Sequence, residues 1–522
     1  MTRDCSVDAS VGPAAIVDPP TVTLARPSVL ARELRRRSAA LRALLCFGLV
    51  AGVRPLGAAT SILNAPEPAL PYVPAHTVLS SATPAPDTIV RGAVRELRLV
   101  FSTEVQLALS TVVLAGPDGV VATGPLGLVS GEASRVLRLP LAQVLSDGAY
   151  LVEWVTAGLD SHPINGSYGF EVDAPDRLAP PAPDRARAIG GTRAAGEGPD
   201  TSGGDGESLL DQVAVPAFLP VLARWLLDVT AVALLGLAAF RWAILEQLRG
   251  EPWFALVAIP AMRQLWVIGW AAAALQVVLL PLRLAVQATQ LFGAEALARS
   301  SALWNSLWGA SLWVHLAATL LLVAGLSVAG VKGHRTGWAA IAVAAVLVSV
   351  VPALSGHASG TERLQDYMVF NHGVHVAAAG AWVGGLLALL LVGLPAVREA
   401  NVPPKLGGRL SSVASLVRAF SAVAVTAVAV LVFTGVVNAR VILGSWQTLF
   451  GSLYGAIFMW KIGFVALVGL LGLYHWLVVR PELEGGAGVD SLRITAKVEL
   501  GLAVLVLVAA ALLATTVPEV PA

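Results

Sequence analysis

From Phe218 onward the sequence runs through eight apolar segments, each close to the ~20 residues a helix needs to cross a bilayer. They fall near residues 217–243, 264–287, 303–328, 337–354, 371–395, 412–437, 455–478 and 494–515. No other feature limits the fold as strongly. In hydrocarbon every backbone N–H and C=O must be satisfied within the protein, so apolar segments of this length become helices. Composition agrees: the 522 residues are 56% hydrophobic and 13% charged, against roughly 25% charged in a soluble domain. The 14 Trp lie mostly in or beside the apolar runs, as in membrane-interface rings. A net charge of +1 creates no global field, which argues against nucleic acid as a partner and leaves membrane lipid as the expected surround.

The connecting loops predict an orientation. Loops after the odd segments hold nine basic residues: Arg249, Arg263, Lys332, Arg335, Arg398, Lys405, Arg409, Arg480 and Arg493. Loops after the even segments hold three: Arg299, Arg363 and Arg440. By the positive-inside rule the odd loops are cytoplasmic. Everything ahead of the first segment, and the loop between the fourth and fifth, is then expected outside. The expected location is the bacterial cytoplasmic membrane, with the N-terminal half on its extracytoplasmic face.

That N-terminal half has three parts. Residues 1–75 read as a targeting region, with Arg32, Arg35, Arg36 and Arg37 ahead of a short apolar stretch from Ala39 to Val53 that suits a signal peptide. Small-residue cleavage sites occur near Leu56-Gly57-Ala58-Ala59 and at Val73-Pro74-Ala75, the second of which would free His76 as an N-terminus. Both cysteines, Cys5 and Cys46, lie in this region, so the folded part has neither a disulfide framework nor a thiolate metal site. Residues 76–172 alternate apolar and polar with a period of two, for example Leu97, Leu99 and Phe101, then Tyr150, Val152 and Trp154. Turn signals at Pro117-Asp118-Gly119 and Asp147-Gly148 separate these runs, and a small all-β sandwich is predicted. Residues 173–213, rich in Pro, Ala, Gly, Asp and Arg, read as a flexible linker that leaves the two halves free to reorient. The helical bundle is expected over 214–516.

Imidazoles and carboxylates recur where the two halves would meet water. Asp160 and His162 are two apart, so on a strand they share a face and supply half of an N/O site for Cu(II) or Zn(II); a turn with a solvated carboxylate is the plain alternative. His372 and His375 are three apart and share a helix face, which also takes in Met368, while His357 approaches from the end of the preceding segment. Imidazole suits copper and zinc, and a thioether tolerates Cu(I). The same histidines could instead be interfacial residues bonded to loop carbonyls. Within the spans lie Arg224, Asp228, Arg283, His315, Lys461, His475, Lys497 and Glu499, each costly in hydrocarbon and expected to face the bundle interior or an interface. Asp228 and Lys461 are deep enough to serve a transport pathway or to form a buried pair.

Two resemblances add to this reading. The stretch from His76-Thr77-Val78 through Ser80-Ser81-Ala82-Thr83-Pro84, Leu99-Val100-Phe101-Ser102, Tyr150 to Trp154 and Asp160-Ser161-His162-Pro163 resembles the CopC family of copper-binding domains. That resemblance implies a Cu(II) site in which His76 binds through its α-amine and ring, with Asp160 and His162 completing it. Two departures stand out: Ser161 occupies the usual Gly position, and Thr103 occupies the slot of a ligating Glu. Glu104 comes one residue late, a shift that on a strand turns it to the other face; it remains a further candidate. The second half resembles the CopD family, through Ser355-Gly356-His357-Ala358, His375 with Ala381-Trp382-Val383-Gly384-Gly385-Leu386, Arg418-Ala419-Phe420-Ser421, Thr434-Gly435-Val436, and Tyr454-Gly455 with Lys461. His357 and His375 are the motif residues there.

The expectation is therefore a multidomain protein, a CopC-like sandwich followed by an α-helical transmembrane bundle of about eight helices, that binds copper ions outside and carries copper across the membrane, in copper homeostasis and resistance. It is a transporter and not an enzyme, with inward movement implied by the resemblance and no Gly-x-x-x-x-Gly-Lys-Ser phosphate loop in the sequence to drive export. One rival is a membrane redox protein, holding haem between His315 and His475 or reducing its copper. Another is a copper sensor or sequestering protein without transport.

Overall fold

The computed structural model describes residues 77–129, 134–158, 163–173, 218–304, 306–330, 333–356, 364–443, 449–450, 452–479, 481–482 and 489–516. Nine strands form a two-sheet sandwich: β1 (Leu79–Thr83), β2 (Ile89–Val90), β3 (Glu96–Phe101), β4 (Thr111–Gly116), β5 (Gly119–Val120), β6 (Gly127–Leu128), β7 (Val136–Pro140), β8 (Gly148–Ala157) and β9 (Pro163–Val172). One sheet runs β1-β3-β7-β6 and the other β2-β9-β8-β4-β5. All pairings are antiparallel except β2 with β9. The period of two does what it predicts: Leu97, Leu99 and Phe101 turn inward from β3 and meet Tyr150, Val152 and Trp154 of β8. Phe101 and Trp154 meet edge to face at 5.3 Å, and Tyr150 stacks on Phe170 at 5.5 Å. The turn after β4 is closed by Gly119, whose φ of 104° excludes most other residues.

The eight apolar segments are eight helices long enough to cross a membrane: α1 (Phe218–Leu248), α2 (Phe254–Arg299), α3 (Trp308–Ala329), α4 (Arg335–Leu354), α5 (Gln365–Ala400), α6 (Pro404–Ile442), α7 (Leu453–Val479) and α8 (Ser491–Thr515). Their outer surface is apolar, with Ile259, Val267, Leu320, Val432, Trp460 and Leu470 exposed as lipid-facing side chains are. The helices alternate in direction. The starts of α1, α3, α5 and α7 and the ends of the even helices lie at one end, with the remaining termini at the other. Two glycines set the central crossing: a Cβ on Gly236 of α1 would stand 2.1 Å from the Gly384 carbonyl carbon of α5, so the backbones touch there. Near this crossing α5 is π-helical over Gly380–Gly384 and again over Leu389–Gly393.

The sandwich is docked on the bundle, which differs from the free tether expected of residues 173–213. Leu109, Val155 and Ala157 of the sandwich form one apolar cluster with Ala288, Leu291 and Phe292 of α2, Leu303, and Trp308 and Leu312 of α3. Arg299, at the end of α2, donates to the Thr111 hydroxyl at 2.8 Å and lies 4.4 Å over the Phe292 ring. The physical reason is the length of α2. Its α-helix over Phe254–Phe292 exceeds what a ~30 Å hydrocarbon layer requires, and its last turn forms a platform with the short helical turns Gly293–Glu295, Ala296–Arg299 and Ser301–Trp304. This is why Val155 and Ala157, which point away from the sandwich core, are nevertheless buried. The linker's composition carries no record of this contact.

Candidate metal sites

Four expected ligands, His76, Asp160, His162 and His357, lie outside the described residues; their flanks do not. Strand β8 ends at Ala157 and β9 begins at Pro163, with those two residues paired. Ala157 lies at the docked end of the sandwich. Thr77, the neighbour of His76, is buried and its hydroxyl meets that of Thr103 at 2.6 Å. Thr103 therefore faces the start of the domain, while the next residue, Glu104, is half-exposed.

In the bundle, Met368, His372 and His375 sit on one continuous helical stretch, Gln365–Ala379. Met368 is fully buried, packed with Ala353 of α4 and Val437 of α6. Asn371 ties α5 to α6 by donating to the Thr434 carbonyl at 3.1 Å and to Asn438 Oδ1 at 2.8 Å. His375 is oriented by Thr434. When that hydroxyl gives its hydrogen to the Val430 carbonyl at 2.7 Å, it accepts from His375 Nδ1–H at 2.8 Å. In that arrangement the lone pair is on Nε2, open to a metal. A Cβ at Gly435 would come within 3.5 Å of the His375 ring, so the Thr-Gly pair both bonds the ring and leaves it room. Among the described residues no group of three or more His, Cys, Asp and Glu is gathered as a metal cage.

A polar layer lies at about the same depth, roughly 12–15 Å along each helix from the sandwich end. Asp228 is paired with Arg224 at 3.2 Å, both on α1; Lys461 and Arg283 stand within electrostatic reach of it. Asp228 and Lys461, two pathway candidates, are thus neighbours in one layer, but the direct partner of Asp228 is Arg224. Arg283 of α2 is buried, donating to His315 Nδ1 at 3.0 Å and to the Ser311 and Ser355 hydroxyls at 3.2 Å each. Its guanidinium also lies 5.2 Å over the Trp308 ring. No carboxylate contacts Arg283 among the described residues. This arrangement joins the two halves: Ala157 packs in the cluster of Trp308, Trp308 covers Arg283, and Arg283 holds Ser355, two residues before His357.

The haem pair does not assemble. His315 lies on α3 near the sandwich end, with Nδ1 on Arg283 and Nε2 bonded to Gln276. His475 lies near the far end of α7, with Nδ1 3.1 Å from Glu499 and Nε2 2.5 Å from Thr495. Both helices run the same way, and the two residues differ in depth by about 20 Å at 1.5 Å per residue. Every ring nitrogen is already engaged. The Arg283 hub and the Glu499 pair were readable in sequence only as isolated polar residues in apolar runs, because the partners come from different helices.

Among the described residues the architecture is that of a multi-pass membrane protein, with eight helices long and apolar enough to cross a membrane and a β-sandwich docked on one end. Residues 79–173 match the CopC domain, and residues 414–513 match Copper resistance protein D, so both parts of the resemblance have a family match. The second match covers α6 to α8 and includes Thr434, Gly435 and Lys461, while the motif residues at 355–358 and 375–386 lie ahead of it. The copper transport protein CutJ of Bacillus subtilis (strain 168) is 29% identical over 217 residues. That match spans 41% of this chain and 37% of CutJ. Among solved structures, PcoC, a methionine-rich copper resistance protein from Escherichia coli, is 27% identical, with 19% of this chain and 99% of that one covered at a TM-score of 0.17. CopC from Methylosinus trichosporium OB3b is 27% identical, with 20% and 100% covered at a TM-score of 0.18.

Proposed function

We propose that this protein captures copper on the outer face of the bacterial cytoplasmic membrane and passes it through the bundle into the cell, in copper homeostasis and resistance, as a transporter and not an enzyme. Copper is the cargo. In the sandwich the proposed Cu(II) ligands are His76, with its α-amine if cleavage frees it, Asp160 and His162. In the bundle the first stop is His357 with His375, assisted by His372 and Met368. One observation carries the reading: the strand end that leads into Asp160 and His162 is packed on the bundle, through Trp308 and Arg283, beside the residues that lead into His357. A donor and an acceptor of copper would thus share one corner, and handover would need no search by a tethered domain. The His375–Thr434 bond supports the acceptor role, since with Nδ1–H on Thr434 the ring keeps its lone pair on Nε2 for a metal. The outward placement of the sandwich rests on the nine-to-three distribution of basic residues between the loops. The inward direction rests on the family resemblance.

The deciding experiment is copper accumulation by cells or vesicles with the double change His357→Ala and His375→Ala. Accumulation should be abolished while Cu(II) binding by the sandwich is retained. Normal uptake by the double variant would move the pathway to Asp228 and Lys461. A reporter active only in the cytoplasm should work when fused near Lys405 and stay silent after Ala522, and the reverse pattern would undo the orientation.

A further inference from the structure

At the end of the bundle opposite the sandwich, α5, α7 and α8 bring together a second ionisable cluster. Glu499 of α8 is 2% exposed. Its Oε2 lies 3.1 Å from His475 Nδ1 of α7, and its Oε1 accepts from Trp382 Nε1 of α5 at 3.2 Å. The other ring nitrogen of His475 meets the Thr495 hydroxyl at 2.5 Å. Thr495 Oγ1 also donates to the Ser491 carbonyl at 2.7 Å, one turn back on α8. A buried carboxylate with two donors aimed at it, in a transmembrane bundle, is a costly feature that a purely structural role would not require.

We propose that His475, Thr495 and Glu499 form a proton-binding site whose loading drives the copper movement proposed above, an inference that rests on that reading for the coupling but not for the site. The geometry satisfies both proton states. With His475 protonated, Nδ1–H donates to Glu499, Nε2–H donates to Thr495 Oγ1, and the hydroxyl hydrogen goes to the Ser491 carbonyl. When the proton leaves Nε2, the hydroxyl turns and donates to that nitrogen, while Nδ1–H remains on Glu499. One N–H bond forms or breaks, one hydroxyl rotates, and no polar atom of the four is orphaned in either state. Trp382 reads the carboxylate from α5, seven residues on from His375. It lies within the π-helical stretch Gly380–Gly384, which is locked to α1 at Gly236, eight residues on from Asp228. Proton state at one end is thereby tied to the helices that carry His375 and Asp228 at the other.

Other charged groups around the cluster are few. Lys497 on α8 and Glu482 beyond α7 are exposed, Arg493 lies a turn and a half before Glu499, and Arg418 on α6 lies at a similar depth. On α1 Arg241 is engaged with Glu246 at 3.3 Å. On α5 no titratable residue occurs between His375 and Arg398.

The test uses the full chain without copper in lipid nanodiscs. The difference in Trp emission between the wild type and Trp382→Phe should follow a single one-proton transition with pH. His475→Gln and Glu499→Gln should abolish it. Thr495→Val removes the partner of Nε2 in both proton states and should move the midpoint, whereas Thr495→Ser should restore it; a merely structural threonine would not give this pattern. Absence of any transition in the wild type, or its persistence in both His475→Gln and Glu499→Gln, overturns the site. In proteoliposomes holding a pH-sensitive dye, copper entry should be accompanied by a proton signal that Glu499→Gln removes. Copper entry with no proton signal overturns the coupling and leaves transport standing. Absence of copper entry alongside a normal Trp382 transition instead rejects the transport reading, and the coupling with it, while the site itself stands.

Discussion

Thr434→Val isolates the contribution of one hydroxyl to the proposed copper acceptor. Valine is nearly isosteric with threonine, so the buried α5–α6 contact is preserved, and the Asn371 bond to the Thr434 carbonyl does not depend on the side chain. What is lost is the acceptor 2.8 Å from His375 Nδ1. The ring then has no partner fixing Nδ1–H, and the tautomer with the proton on Nε2, which cannot bind a metal through Nε2, becomes accessible. Loss of such an orienting partner typically costs 10–100-fold in metal affinity, or about 1.4–2.8 kcal/mol. The assay is chelator competition on the full chain carrying His162→Ala, so that only the bundle site is read. Copper affinity should fall by that factor in Thr434→Val and stay close to the parent in Thr434→Ser, which keeps the hydroxyl. Unchanged affinity in the valine variant would refute the assigned tautomer. An equal loss in the serine variant would show that packing, and not the hydrogen bond, matters at this position.

Two further outcomes test the fold. Gly236→Ala places a methyl 2.1 Å from the Gly384 backbone, so the α1–α5 crossing must open; a loss of at least ~1–3 kcal/mol is expected, read as a lowered thermal midpoint in detergent, and an unchanged midpoint would contradict the close crossing. In the sandwich, burial raises the Tyr168 phenol above its ordinary value of 10.0, and its hydroxyl has no hydrogen-bond partner. The folded state therefore holds this proton more tightly than the unfolded one. Stability is fully present below about pH 10 and falls as pH rises through the elevated value. Tyr168→Phe should remove that alkaline loss and should stabilise the domain at neutral pH, since an unsatisfied buried hydroxyl costs about 1–3 kcal/mol; sandwich unfolding followed against pH checks both.

The sequence by itself determined the parts. Apolar runs of bilayer length can only be helices in lipid, so the eight spans were legible, although α2 extends well beyond the predicted 264–287. A period of two with Gly and Pro turns gave the sandwich, because side-chain alternation and turn dihedrals are local properties. Single ionisable residues in apolar runs were visible for the same reason: their cost is local. Tertiary structure alone decided which of them meet. Arg283 could not be joined to His315 and Ser355, nor Glu499 to His475 and Trp382, from spacing along the chain, since each partner sits on another helix. The pair of Asp228 with Arg224, at i and i+4 on α1, is the exception, a local contact that spacing along one helix already allows. The docking of the sandwich was hidden most completely. Its contacts are a few small apolar faces, Leu109, Val155 and Ala157 against Trp308 and Leu312, with no pattern of their own, and they exist only because the end of α2 and the start of α3 come together in a platform that meets them.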